Sequence, residues 1–293
     1  MIGAMLLLQF MLIIWFFAIV APIEQQVAAS MDARMGLGYR GYFKMLFNQS
    51  KFTDMTWLKV FGATLLLTAP TFLAPNIELN HTIGWFLLMF SAGLLFYKFE
   101  SDETLDSETK WHTGQTRSLL ALAVIFVGMI GVCALSSSVS FDSLAEFEEH
   151  TWSGTLFFES IFSPGIFLSL LVAGVALFGI RPFSGQPERE LDRAFSGLMF
   201  FQWCMVLSSI FFGFGPRGDN SGADGYVDSL WCIELVIKAS VLFFAAKLAN
   251  RFIPRVSFES EARILSLWLL PFAFICVVGA MALQVLVSLG ANG

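Results

Sequence analysis

In WCIELVIKASVLFF, residues 231–244, a carboxylate and an amine stand four residues apart inside an otherwise apolar run. That spacing puts Glu234 and Lys238 on one helical face, with the acid N-terminal to the base. An ionisable residue at the centre of a membrane helix costs about 3 kcal/mol on insertion scales, so such residues face the bundle interior and pair. A carboxylate–lysine pair exchanges protons when a neighbouring charge shifts the balance between its two forms. Two roles follow: a neutralised pair that orients its helix, or an intramembrane proton relay.

Three other stretches concentrate charge between apolar runs. RPFSGQPERELDRAFSG, residues 181–197, sets Glu188, Glu190 and Asp192 among Arg181, Arg189 and Arg193. Pro182 and Pro187 stop the preceding helix there and constrain the backbone as a loop. APIEQQVAASMDARMGLGYRGYFKML, residues 21–46, places Glu24 at the end of the first apolar run. Asp32, Arg34 and Arg40 follow, around Gly36, Gly38 and Gly41. It reads either as an interfacial amphipathic segment or as a charged, glycine-turned floor lining a cavity. KFESDETLDSETKWHTGQTR, residues 98–117, is acidic. It reads as a solvated loop, a contact for a basic partner, or the mouth of a proton path.

Other chemistries find no pattern. The four cysteines, Cys133, Cys204, Cys232 and Cys276, fall in four different apolar runs, and the three histidines in three different loops. Neither a zinc nor an iron–sulfur site is expected from such spacing, and no phosphate loop or nucleophile triad can be drawn. A formal net charge of −6 offers no basic stripe for nucleic acid.

The elements that must position these residues are apolar. The 293-residue chain is 56% hydrophobic and 14% charged, with a mean hydropathy of +0.71. A soluble domain of average composition carries about 25% charged residues. Thirty-three Phe and eight Trp suit lipid-facing and interfacial positions. The expected architecture is an all-α integral membrane protein, a single domain over residues 1–293. Its spanning helices lie near 2–22, 56–75, 82–99, 117–136, 160–180, 195–214, 229–250 and 264–289, each long enough for a hydrocarbon core of about 30 Å. The first is read as a retained helix, because no Lys or Arg precedes Arg34 to make the basic start of a signal peptide. With both termini outside, loops 1, 3, 5 and 7 and their flanks hold fifteen of the seventeen Lys and Arg. The positive-inside rule then makes those loops cytoplasmic, in a bacterial-type cytoplasmic (inner) membrane.

The charged stretches together resemble one family. The segment from Arg181 to Gly197 is similar to the cytoplasmic loop between helices 5 and 6 of the H subunit (mitochondrial subunit 1) of respiratory complex I. That loop reads R-x-P-F-D-x-x-E-A-E-x-E-L and then E-Y-S-G. Arg181, Pro182, Phe183, Glu188 and Glu190 match it, with Phe195-Ser196-Gly197 standing for Tyr-Ser-Gly. The segment after the first helix resembles the family's E-R-x and R-x-G-P-N-x-x-G through Glu24, Arg34, Gly36 and Gly41. Near the end, Lys238, Pro254-Arg255 and Pro271 fall on the family's helix-7 lysine, Pro-Arg and helix-8 proline. The resemblance spans most of the chain and extends to membrane-bound hydrogenases and formate hydrogenlyases.

The resemblance implies a non-redox membrane subunit of an NADH:quinone oxidoreductase. Such a subunit anchors the peripheral arm's quinone-reducing and iron–sulfur subunits and lines the quinone-side cavity. It helps couple electron transfer to ion translocation in antiporter-like neighbours, beside small membrane subunits. Flavin and iron–sulfur clusters would reside only in those partners, and quinone would bind at the interface with the arm. Glu24, Asp32, Arg34, Arg40, Arg181, Glu188, Glu190 and Asp192 would then be cavity and coupling residues, and Glu234 and Lys238 an intramembrane relay. The chain also departs from the pattern. Gln25-Gln26 replace the paired arginines, Leu37 replaces the G-P-N proline, and Ser266-Leu267 stand where the family has Trp-Lys. Ile125-Phe126 follow Gly114 and Arg117 where the family has Tyr-Glu. Losing that glutamate favours an alternative, the membrane anchor of a [NiFe] hydrogenase-like complex with a vestigial quinone chamber. A stand-alone ion transporter and a purely structural anchor complete the alternatives.

Overall fold

The computed structural model describes residues 13–31, 38–49, 57–69, 82–102, 108–136, 156–178, 190–212, 224–252 and 258–291. These segments are helical nearly throughout, and no strand occurs among the described residues. In chain order the helices are α1 (13–31), α2 (Gly38–Gln49), α3 (Trp57–Thr68), α4 (Thr82–Asp102), α5 (Glu108–Ser136), α6 (Leu156–Glu159), α7 (Ser163–Phe178), α8 (Glu190–Phe211), α9 (Asp224–Phe252) and α10 (258–291). Among the described residues each of the eight apolar runs contains helix, which suits apolar stretches without period-two alternation.

Several of the helices outrun the apolar windows. α5 begins at Glu108 rather than near 117, and α8 at Glu190 rather than near 195. Glu190 and Asp192 therefore sit on a helix, where the sequence suggested a loop. A helix this soon after Pro187 is allowed, because proline blocks continuation but not initiation. In the acidic stretch 98–117, residues 98–102 and 108–117 are helical, and residues 103–107 lie outside the described residues.

α1 continues through Pro22 to Met31, past the expected end at 22. A proline inside a helix lacks a donor and its ring meets the carbonyl four residues back. Here a π-turn, Phe16–Val20, precedes Pro22, and the Ala21 N–H donates to the Phe16 carbonyl. α10 repeats the device: the π-turn Leu265–Leu269 precedes Pro271, and the Leu270 N–H donates to the Leu265 carbonyl. One extra residue in the turn accommodates the ring without ending the helix.

α8 is the hub of the bundle, with every residue from Gly197 to Phe211 buried. A helix apolar all round requires neighbours all round. Gly174 of α7 abuts the Trp203 ring, whose Nε1–H donates to the Leu170 carbonyl at 3.0 Å. Phe167 meets Phe211 at 5.3 Å between centroids, so α7 and α8 run antiparallel. Phe201 meets Phe243 of α9 at 5.9 Å, and Phe16 of α1 meets both. Gly128 and Gly131 of α5 fit beneath Leu170 and Ile166 of α7. α3 and α4 touch through their backbones: a Cβ on Gly62 would lie 2.8 Å from the Gly93 carbonyl oxygen. Small residues at such crossings let helices approach closely without hydrophobic drive.

These pairings fix relative directions. α7 is antiparallel to α5 and α8, α8 to α9, and α5 is parallel to α10. The C-terminal ends of α1, α7 and α9 thus share one end of the bundle with the N-terminal ends of α5, α8 and α10. The outer face of α10 is apolar, with Leu267, Trp268, Phe274, Ile275, Leu286 and Leu289 exposed. Among the described residues two helical stretches, Gln115–Ser136 and Glu259–Leu286, are long and apolar enough to cross a membrane.

Candidate functional site

The end of the bundle just defined is held by two ion pairs, each between helices distant in sequence. Glu24 lies two residues past Pro22, in the last half of α1, and its Oε1 stands 3.7 Å from the Lys247 Nζ of α9. Both side chains are largely buried, and the ammonium also lies 5.4 Å from the Phe243 ring centre. The ring's negative face offers the cation a second favourable environment. Phe243 is itself locked between Phe16, Phe200 and Phe201, so the aromatic cluster of α1, α8 and α9 sets where Lys247 sits.

The second pair is shorter and more buried. Arg117 Nη1 of α5 donates to Glu261 Oε2 of α10 at 3.0 Å, with side-chain exposures of 10% and 9%. A charge-assisted bond in this setting is stronger than a neutral one, while withdrawal of either partner strands the other charge. Four residues on, the π-turn of α10 begins. At the far end of the same two helices Gln284 Nε2 donates to the Leu135 carbonyl at 2.7 Å, so α5 and α10 are tied at both ends. The neighbouring Arg263–Glu259 pair, about 70% exposed, is a surface contact of little energetic weight.

Glu234 and Lys238 do meet, at 2.5 Å between Oε1 and Nζ. Lys238 also donates to the Phe212 carbonyl at 3.0 Å, just past the end of α8. A cation there meets the negative end of the helix dipole and satisfies a terminal carbonyl. This pair sits at the opposite end of α8 from the other two, because α8 and α9 are antiparallel. Its surroundings are those of a helix cap as well as of a relay.

The remaining sequence candidates are distributed as follows. Arg40 is on the exposed side of α2, whose Tyr42 is buried, the pattern of an amphipathic helix. Glu190 and Asp192 lie on the opening turns of α8. Asp32, Arg34, Arg181 and Glu188 lie outside the described residues. No three His, Cys, Asp or Glu side chains converge among the described residues as a metal ion would need.

The sequence left Lys247 and Glu261 without partners. Glu24, Arg117 and Lys247 are each the first charge met on leaving an apolar run, which is the sole signal they carry. Glu261 lies one charge further out than Arg263, which turns to Glu259 instead. No family model matches the chain, and no curated protein matches it in sequence.

Chemically, the charged end combines two acids and two bases, paired across helix–helix contacts, with each acid four residues from the π-turn of its own helix. Displacing one member by a proton, an ion or a partner's charge would free the other and relax the contact between its helices. That is the elementary step of electrostatic coupling.

Proposed function

We propose that the chain is an eight-span, non-redox membrane subunit of a complex I-type NADH:quinone oxidoreductase. In this reading it anchors the peripheral arm, lines the quinone-side cavity and helps couple electron transfer to ion translocation. The observation that carries the reading is the pair of cross-helix ion contacts, Glu24–Lys247 and Arg117–Glu261, gathered at one end of the bundle. That is the end from which the charged segments leave, and Glu24 and Arg117 are residues through which the sequence resembles the family. A purely structural bundle gains little from such pairs, since well-packed apolar residues of the same volume are as stable or more so. The exposed apolar belt of α10 supports a lipid environment.

Quinone is the substrate of such a complex, at the interface with the arm. Reduction of its carbonyls calls for hydrogen-bond donors and a source of protons. Of the described candidates at the charged end, Glu24 and Lys247 have that chemistry and keep partial exposure. The second reading, the anchor of a membrane-bound [NiFe] hydrogenase-like complex, is favoured by one site. Ile125 is fully buried where the family carries its helix-4 Tyr-Glu, and Phe126 follows it. At that position α5 carries no side chain that could take up a proton.

The test is purification of the tagged chain from membranes in mild detergent, with each co-purifying subunit identified. Antiporter-like subunits with a flavin and iron–sulfur arm are expected. A nickel–iron arm would select the hydrogenase reading, and a chain that purified alone would overturn both.

A further inference from the structure

The face of α9 turned away from the hub is built like a helix-docking seam. Leu235, Ala239, Phe243 and Ala246 are buried, facing the bundle. On the opposite side Glu234, Ile237, Val241, Ala245 and Leu248 follow one another at spacings of three and four, with Glu234, Val241 and Leu248 seven apart. Ile237, Val241, Ala245 and Leu248 are exposed, and the Glu234 side chain is 43% exposed at one end of the stripe. A repeat of this period keeps one line of side chains facing a neighbouring helix over several turns. Ala245 leaves room for close approach.

An apolar stripe alone suits lipid. The carboxylate does not, because charge at membrane depth faces protein or water. Lys238 pairs with Oε1 of Glu234 while itself bound to the Phe212 carbonyl, and the Glu234 side chain still keeps 43% of its exposure. A second copy of this chain docking across a twofold axis at this end of the seam would set Glu234 towards its own counterpart, a repulsive contact. We infer that this seam holds a single membrane-spanning helix of a different protein, one that presents a basic or amide side chain to Glu234. The inference rests on the membrane reading above and adds to it the surface and the chemistry of one partner.

The experiment places a photo-crosslinking p-benzoylphenylalanine at Val241 in the full chain, in its own membranes, with the same residue at Ile275 on the outer face of α10 as control. Crosslinked peptides are sequenced. The expected product from position 241 is an apolar segment of another membrane protein with Lys, Arg, His, Asn or Gln close to the level of Glu234. Glu234→Lys should cut its yield at least tenfold, and an acidic residue in place of the partner's donor should restore it. Should Glu234→Lys fail to accumulate, Ala245→Trp, an exposed position, must cut the yield of the same product equally. Crosslinks to phospholipid only, to a second copy of this chain, or to a segment lacking such a donor would overturn the inference. A yield indifferent to these changes would do the same. If the soluble arm co-purifies while position 241 meets only lipid, the seam fails and the function stands. If no redox arm co-purifies but the donor-bearing helix crosslinks, the function fails and the seam stands.

Discussion

Arg117 and Glu261 give the sharpest test of the coupling chemistry. Their side chains are about nine-tenths buried and 3.0 Å apart, between helices whose residues are 144 positions apart in sequence. Replacing Glu261 with Leu removes a counter-charge from a buried guanidinium. For a buried pair that costs about 3–5 kcal/mol, whereas replacing both partners by apolar residues is nearly neutral. Domains of 150–250 residues lose about 2–4 °C of Tm per kcal/mol. At about 2 °C per kcal/mol for a chain of this size, Glu261→Leu should lower Tm by roughly 6–10 °C. Arg117→Leu should act similarly, and the double variant should recover more than half of either loss. The assay is thermal unfolding of the detergent-solubilised chain followed by tryptophan fluorescence, read as a double-mutant cycle. If each single change moves Tm by less than about 2 °C, or if the two losses simply add, the contact is incidental. Coupling of α5 to α10 through this pair would then be refuted.

Three further outcomes follow from the same geometry. Lys238→Met should cost about 1–3 kcal/mol by uncapping the Phe212 carbonyl and leaving Glu234 without its base, while Lys238→Arg should restore most of it; denaturation midpoints decide. Gly62→Leu should destabilise the α3–α4 contact by about 1–3 kcal/mol or more, because the new Cβ meets the backbone of Gly93 and Tyr97, which no rotamer change relieves; the same unfolding assay shows it. Pro271→Ala should leave stability equal or higher, since an interior proline costs a helix about 3 kcal/mol, yet it should weaken the Arg117–Glu261 contact by letting the π-turn close; disulfide trapping of cysteines placed beside the pair reports that loss.

The elements were far easier to read from the sequence than their contacts. Eight apolar runs without alternation announce eight long helices; among the described residues each run contains helix, and two stretches, Gln115–Ser136 and Glu259–Leu286, are long and apolar enough to cross a membrane. Helix ends were misjudged where charge begins, since a backbone keeps its hydrogen bonds beyond the apolar window: α5 opens at Glu108 and α8 at Glu190. Of the buried or partly buried ion pairs described, Glu234–Lys238 was legible because its spacing is local. Glu24–Lys247 and Arg117–Glu261 were not, because hydropathy states that a segment is a helix but not which helix lies beside it. The seam on α9 was hidden for the same reason. Its period is present in the sequence, but only packing separates the face that meets α8 from the face left exposed among the described residues.

The two prolines bring these strands of argument together. In α1 the order is π-turn, Pro22, Glu24; in α10 it is Glu261, π-turn, Pro271. Each helix therefore carries a widened turn between its charged residue and the bulk of its apolar length, or directly beside it. A π-turn holds one residue more than the α-helical register needs, so closing it rotates one side against the other by about 100°, the angular step of a single residue at 3.6 per turn. For α10 that rotation would carry Glu261 off the face it shares with Arg117. Conversely, loss of the ion pair removes one contact that holds the short N-terminal stretch of α10 in its present orientation. Charge at this end and helix geometry further along are thus mechanically linked within single helices, with no long chain of intermediaries required. A proton or partner charge that neutralises Glu261 would act on α10 through the nearest soft turn, four residues away.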